Sequence, residues 1–102
     1  MGIKKQYFKT KKSCKVTFTL SKDESNGARE VHVVGEFNNW STTATPMKRS
    51  RNGIFKATVD LPPGRHYQFR YLLDGRLWRN ETEADGAAET PYQDACNSVI
   101  AI

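Results

Sequence analysis

Cysteine is scarce in this chain of 102 residues: only Cys14 and Cys96 are present. Two are too few for a disulfide scaffold, and without a C-x-x-C motif or a Cys/His cluster no zinc site can be read. Met1 to Lys12 is basic but leads into no apolar stretch. It does not read as a secretory leader, so reduced thiols in the cytoplasm are expected. Long apolar runs are also missing. None approaches the roughly 18 residues of a membrane helix, so no membrane partner is expected. The length leaves room for one domain and excludes a (β/α)₈ barrel, which needs about 250 residues. Acidic residues are absent from the start of the chain, where the first is Asp23. Of the 16 Lys and Arg residues behind the +5 charge, six are Lys4, Lys5, Lys9, Lys11, Lys12 and Lys15. Past Lys15 ten basic residues face eleven acidic ones, a balance of −1. Residues 1–13 are therefore expected to be a basic, solvated arm on a near-neutral body spanning 14–102. Nucleic acid is not an expected partner, because it would require a basic face on the fold itself.

Sustained helical periodicity is the last absence; at most Ala84 to Glu89 forms one turn, weakened by Gly86. What dominates is a period of two. Val16, Phe18 and Leu20 alternate with Lys15, Thr17 and Thr19, which predicts a half-buried strand over 14–20. Further strands are expected at 29–35, at 55–61 and at 67–73, with shorter ones near 47–50, 76–79 and 98–102. Asn52-Gly53, Pro62-Pro63-Gly64 and Asp74-Gly75 punctuate them as turns. Gly35 to Pro46 and residues 80–97 are polar and aperiodic and read as loops. Seven or so short strands with frequent turns indicate an all-β, immunoglobulin-like β-sandwich. Its core should draw on Phe18, Val31, Val33, Phe37, Phe55, Val59, Tyr67, Phe69 and Tyr71. Cys14 and Cys96 each open an outermost strand, and pairing of those strands would put the two Cα atoms within about 7 Å.

Catalytic constellations do not emerge, and the chain is not expected to be an enzyme. His32 and His66 fall at outward-facing strand positions with no nucleophile or third group beside them. Glu81, Glu83, Asp85 and Glu89 invite a glycosidase reading, since paired carboxylates do that chemistry. They lie in a polar stretch without a scaffold to grip a distorted sugar, so solvated loop charges are the expectation. The same stretch lacks the alternating oxygen ligands and glycine of a calcium loop, so no metal and no cofactor are expected. The two tryptophans are harder to place. Trp40 lies in the polar run Asn38-Asn39-Trp40-Ser41-Thr42, and Trp78 lies just past a hairpin turn. Each indole is either a plug over the edge of the core or an exposed platform. A flat apolar ring beside Asn, Arg and hydroxyl groups suits the C–H face of a pyranose.

The run Val31-His32-Val33-Val34-Gly35-Glu36-Phe37-Asn38-Asn39-Trp40-Ser41 resembles the V-x-G-x-F-N-x-W signature of carbohydrate-binding module family 48. That module is the early-set domain ahead of isoamylases and branching enzymes and the glycogen-binding domain of the AMP-activated kinase β-subunit. Asn52-Gly53-Ile54-Phe55 to Asp60-Leu61-Pro62-Pro63-Gly64 resembles its G-x-F…DLPPG hairpin. Tyr67 to Gly75 resembles Y-x-F-[KR]-F-x-V-D-G, and Asn97-Ser98-Val99-Ile100 resembles the terminal N-x-[VI]-[IV]. The ordered match covers roughly 14–102, and with the Lys-rich start it is similar to small bacterial proteins made of this domain alone. The resemblance implies a non-catalytic binder of α-1,4-linked glucan, glycogen-like or starch-like. It places the two stacking tryptophans on Trp40 and Trp78, and the hydroxyl-binding basic residue and asparagine on Arg70 and Asn97. Two places depart from the kinase subunit: Gln93 and Ala95 stand where it carries a Leu and a Thr, and Arg79-Asn80-Glu81 replaces an Asp-Pro. These departures motivate the alternative, a module that docks on a separate glycogen-metabolising enzyme or kinase-like partner with little sugar affinity of its own.

Overall fold

The computed structural model describes residues 1–10, 12–90 and 96–102. Among the described residues nine strands run in chain order: β1 (Gly2–Phe8), β2 (Ser13–Leu20), β3 (Val31–Gly35), β4 (Lys48–Arg49), β5 (Phe55–Leu61), β6 (His66–Leu73), β7 (Leu77–Arg79), β8 (Gly86–Glu89) and β9 (Cys96–Ala101). They form two antiparallel sheets, one ordered β1-β2-β5-β4 and the other β3-β6-β9-β8, with β7 also pairing to β6. The only helical turn among the described residues is 3₁₀, at Glu36–Asn38. The all-β sandwich expected from the period of two is the observed architecture.

The inward residues of both sheets meet in one core. Phe18 of β2 sits at its centre, 5.0 Å from the Phe69 ring, 6.0 Å from Phe37 and 6.3 Å from Tyr71, centroid to centroid. Tilted and edge-on ring pairs at this spacing add to the burial itself. Seven of the nine expected core residues are buried; Phe37 and Val59 are half-buried and pack against the same cluster.

Several details differ from the sequence expectations. The Lys-rich start is not a free arm over its length: Gly2–Phe8 pairs with β2, from Gly2 opposite Thr19 to Phe8 opposite Ser13. Parity turns Ile3 inward over Phe18 and Lys4 outward, so the lysines edge a sheet. Lys5 takes an inward-parity slot opposite Val16, and its Nζ reaches Asp85 Oδ2 at 2.6 Å. β3 starts at Val31 because the Arg29 and Glu30 N–H groups both donate to Asp74 Oδ1, at 2.8 and 2.9 Å. Gly86–Glu89 is a strand on the edge of β9, where a loop or one helical turn was expected. Glu81 is buried, not a solvated loop charge. Cys14 and Cys96 are both free thiols, and their strands belong to different sheets, so the expected pairing of outermost strands is wrong. The period of two sets which face a residue takes; it does not set which sheet a strand joins.

Candidate functional site

β6 carries the site because it is shared on one edge by two strands. β9 pairs with it over His66–Phe69, and β7 pairs over Tyr71–Leu73. Arg70 falls at the fork between them. Its Nε and Nη2 both donate to the Cys96 carbonyl, at 2.9 and 2.6 Å, and Asn80 Nδ2 donates to the same oxygen at 2.9 Å. One carbonyl at the start of β9 thereby ties down the residue after β7 and the guanidinium of β6.

Register then defines the outer face of this sheet. In an antiparallel pair, residues directly opposite share a face. His32, Leu72 and Trp78 form one row. Val34 and Arg70 form the next, and continuing the β6–β9 register brings Asn97 alongside Arg70, with Ala88 opposite Asn97. Gln68, Val99 and Gly86 form the third. At about 3.3 Å of rise per residue, the first and third rows are about 13 Å apart along β6. Val34 and Leu72 point outward yet are 0% and 3% exposed, so the outward side chains around them close over an apolar floor. Trp78, directly opposite Leu72, remains 43% exposed.

Trp40 enters from the end of β3. Gly35 has no room for a side chain: a Cβ there would stand 2.6 Å from the Gln68 carbonyl oxygen and 2.7 Å from Phe69 Cβ. The chain then makes its 3₁₀ turn, closed by Trp40 N–H to the Gly35 carbonyl (2.8 Å) and Asn39 N–H to the Glu36 carbonyl (3.4 Å), with Asn39 left-handed at φ 57°. This pair of bonds is the Schellman arrangement, and asparagine tolerates the left-handed position it needs. Asn38 locks the turn: its Oδ1 accepts from Gly35 N–H, while its Nδ2 donates to the Val33 carbonyl and Thr45 Oγ1. Phe37 anchors it in the core against Phe18 and Tyr67. Trp40 itself has φ 57° and is 39% exposed.

Beneath the Trp78 end lies a buried polar network. Tyr71 donates to Glu81 Oε1 at 2.7 Å, Glu83 N–H donates to Glu81 Oε2 at 2.9 Å, and Glu81 N–H donates to Ser98 Oγ at 2.8 Å. Ser98 Oγ donates in turn to Asn80 Oδ1 at 3.0 Å. Burial first, then the Glu81 carboxylate, push the Tyr71 phenol well above its ordinary value. The segment that follows Trp78 is thus fastened from below.

Of the four residues singled out from the sequence, Arg70, Trp78 and Asn97 share the outer face of one sheet, and Trp40 stands exposed on the loop that extends its β3 end. Gln93 and Ala95, where departures were noted, lie outside the described residues. Sequence reasoning missed Gln68, although its parity with Arg70 was readable, and it missed the apolar floor of Val34 and Leu72. His32 and His66 do face outward. A separate depression of about 1000 Å³ lies between residues 44–50 and β5, lined by Lys48, Arg49, Ile54 and Lys56 among others. It lies on the other sheet and contains none of the aromatic residues. Stacking a sugar needs an exposed ring rather than a deep pocket, so the face bearing Trp78 is the stronger candidate.

An all-β sandwich that displays an indole, a guanidinium and an amide on one sheet presents an apolar ring flanked by hydrogen-bonding groups. The chain belongs to the family described as the glycogen recognition site of AMP-activated protein kinase, which it matches over residues 15–101. It is 42% identical over 59 residues to the 5′-AMP-activated protein kinase subunit beta-1 of Sus scrofa, covering 58% of this chain and 45% of that protein. It is 42% identical over 59 residues to subunit beta-2 of Homo sapiens and 41% to subunit beta-1 of Rattus norvegicus, covering 21% and 20% of those proteins. The matched region is thus between a fifth and under a half of these relatives' lengths.

Proposed function

We propose that this chain is a non-catalytic module that binds α-1,4-linked glucan of the glycogen or starch kind. In this reading Trp40 and Trp78 stack on glucose rings, and Arg70 and Asn97 bond the hydroxyl groups. The observation that carries it is the convergence of exposed Trp78, Arg70 and Asn97 on the outer face of the β3-β6-β9-β8 sheet in a member of a glycogen-recognition family. Cytoplasmic residence follows from the polymer it would meet. No helix among the described residues is long and apolar enough to cross a membrane.

Retardation in gels containing glycogen, and quenching of tryptophan fluorescence by maltoheptaose, test the reading. Trp40→Ala and Trp78→Ala should each weaken binding by about 1–2 kcal/mol while the fold survives. Added salt should have no effect, because the ligand is uncharged. Arg70→Ala should cost more than the roughly 1 kcal/mol of one hydroxyl bond, since it also removes two of the three hydrogen bonds to the Cys96 carbonyl and leaves only that from Asn80. A tryptophan whose alanine variant loses a core-like 3–5 kcal/mol of stability and no affinity is a plug and not a platform.

A second reading is favoured by the relatives being subunits of a larger kinase. The module would then dock on a glycogen-metabolising enzyme or kinase-like partner supplied in trans. Co-purification of such a partner without retardation by glycogen supports it.

A further inference from the structure

Gln68 is an outward polar residue that links the turn carrying Trp40 to Asn97. Its backbone N–H donates to Glu36 Oε1 at 2.6 Å, at the start of the turn that carries Trp40. Its side chain accepts, at Oε1, a hydrogen bond of 3.0 Å from Asn97 Nδ2 on β9. Both side chains are half-buried and both lie on the outer face.

That single bond has a chemical consequence. A primary amide left alone rotates between two faces, one donating and one accepting. With Asn97 Nδ2 committed to Gln68, the Asn97 Oδ1 is turned away as an acceptor. With Gln68 Oε1 committed to Asn97, the Gln68 Nε2 is turned away as a donor. Neither atom takes a partner among the described residues. Arg70, in the row between Trp78 and Gln68, offers donors only, and two of its nitrogens already serve the Cys96 carbonyl.

We propose that Gln68 and Asn97 act as one unit that reads a pair of neighbouring hydroxyl groups on the ligand, with Gln68 positioning Asn97 and adding a contact of its own; this rests on the glucan reading above. One hydroxyl donates to Asn97 Oδ1 and its neighbour accepts from Gln68 Nε2. The match is to a vicinal diol, the pattern that the 2- and 3-hydroxyls of an α-1,4-linked glucose present. A lone asparagine would lack this directionality, because its two faces would exchange.

Fluorescence titration with maltoheptaose tests the unit, using wild type, Gln68→Leu, Gln68→Glu, Asn97→Ala and the Gln68→Leu/Asn97→Ala double variant, each checked by thermal melting. Gln68→Leu should weaken binding by at least about fivefold, the worth of one net hydrogen bond. Gln68→Glu keeps an acceptor for Asn97 but offers no outward donor, so its loss should be intermediate. The double variant should lose much less than the product of the two single losses, the signature of coupled residues. Wild-type affinity in Gln68→Leu overturns the proposal. So do losses that multiply fully in the double variant, or a Gln68→Glu variant as weak as Gln68→Leu. Where Gln68→Leu does not fold, Gln68→Glu against Asn97→Ala carries the comparison. Absence of binding by the wild type is seen before any variant is made, and it overturns the glucan reading and this proposal together.

Discussion

Replacing Tyr71 with Phe removes one oxygen from the interior and leaves the ring in place against Phe18 and Phe69. The lost hydroxyl is the donor to Glu81 Oε1, and Glu81 is only 5% exposed. Water cannot readily take its place, so one carboxylate oxygen stays buried without a donor. Hydrogen bonds to charged groups contribute about 1.5–3 kcal/mol, and an orphaned buried partner puts the cost toward the upper half of that range. A loss of about 2.5 kcal/mol corresponds to a fall in Tm of roughly 10–20 °C for a domain of this size. Urea unfolding should show the same loss with an unchanged slope, since the surface exposed is the same. Adding Glu81→Gln should recover part of it, because a neutral amide costs less to leave unpaired. The pH dependence has a definite sign. The Tyr71 phenol is raised above its ordinary 10.0 by burial and by Glu81, so its contribution is complete below pH 10 and lost as pH rises beyond it. Tyr71→Phe should lack that part of the alkaline loss. A Tyr71→Phe protein within about 0.5 kcal/mol of wild type would refute the argument that this network fastens the segment after Trp78.

Gly35→Ala should destabilise by about 3 kcal/mol or more, because the new methyl group meets the Gln68 carbonyl and Phe69 Cβ, neither of which can swing away; chemical denaturation measures it. Asp85 is pushed up by burial, but the Lys5 ammonium and the Ala101 N–H outweigh this and hold its carboxyl below the ordinary 3.8. Its contribution is therefore present above that pH and lost as pH falls below it, so Asp85→Asn should flatten the acid limb of a melting-versus-pH curve. Deleting residues 1–12 should lower Tm, since it strips β1 from β2 and uncovers the half-buried Met1 and Ile3 contacts, worth roughly 2 kcal/mol together. An unchanged melting curve would mean that β1 is a dispensable edge.

The strands legible in the sequence were those with one face in the core. β2, β5 and β6 alternate cleanly because their inward residues meet Phe18 and its neighbours while Thr, Lys and Arg look out. β1 was hidden because a lysine occupies an inward-parity slot, which is tolerable only with Asp85 across from it, and that pairing spans 80 residues of sequence. β8 was hidden because Gly86-Ala87-Ala88-Glu89 has no strand-forming residue of its own; it is a strand because β9 offers it an edge. Glu81 read as a solvated charge because its partners, Tyr71 and Ser98, are brought together by folding alone. At the site, Trp40 and Trp78 stood out as indoles in polar surroundings, and Arg70 and Asn97 were reached through the family resemblance. Gln68 was passed over because its role depends on a neighbour that lies 29 residues away.

β6 is hydrogen-bonded along both edges and covered on both faces where Leu72 is sealed beneath the outward side chains. Its backbone amides should therefore exchange with solvent only when the whole domain opens, while those of the edge strands β1 and β8 exchange through local fraying. The candidate binding surface is thus mounted on the last part of the molecule to let go. Such a mount arrives already ordered, and a flexible polymer meeting it gives up only its own freedom.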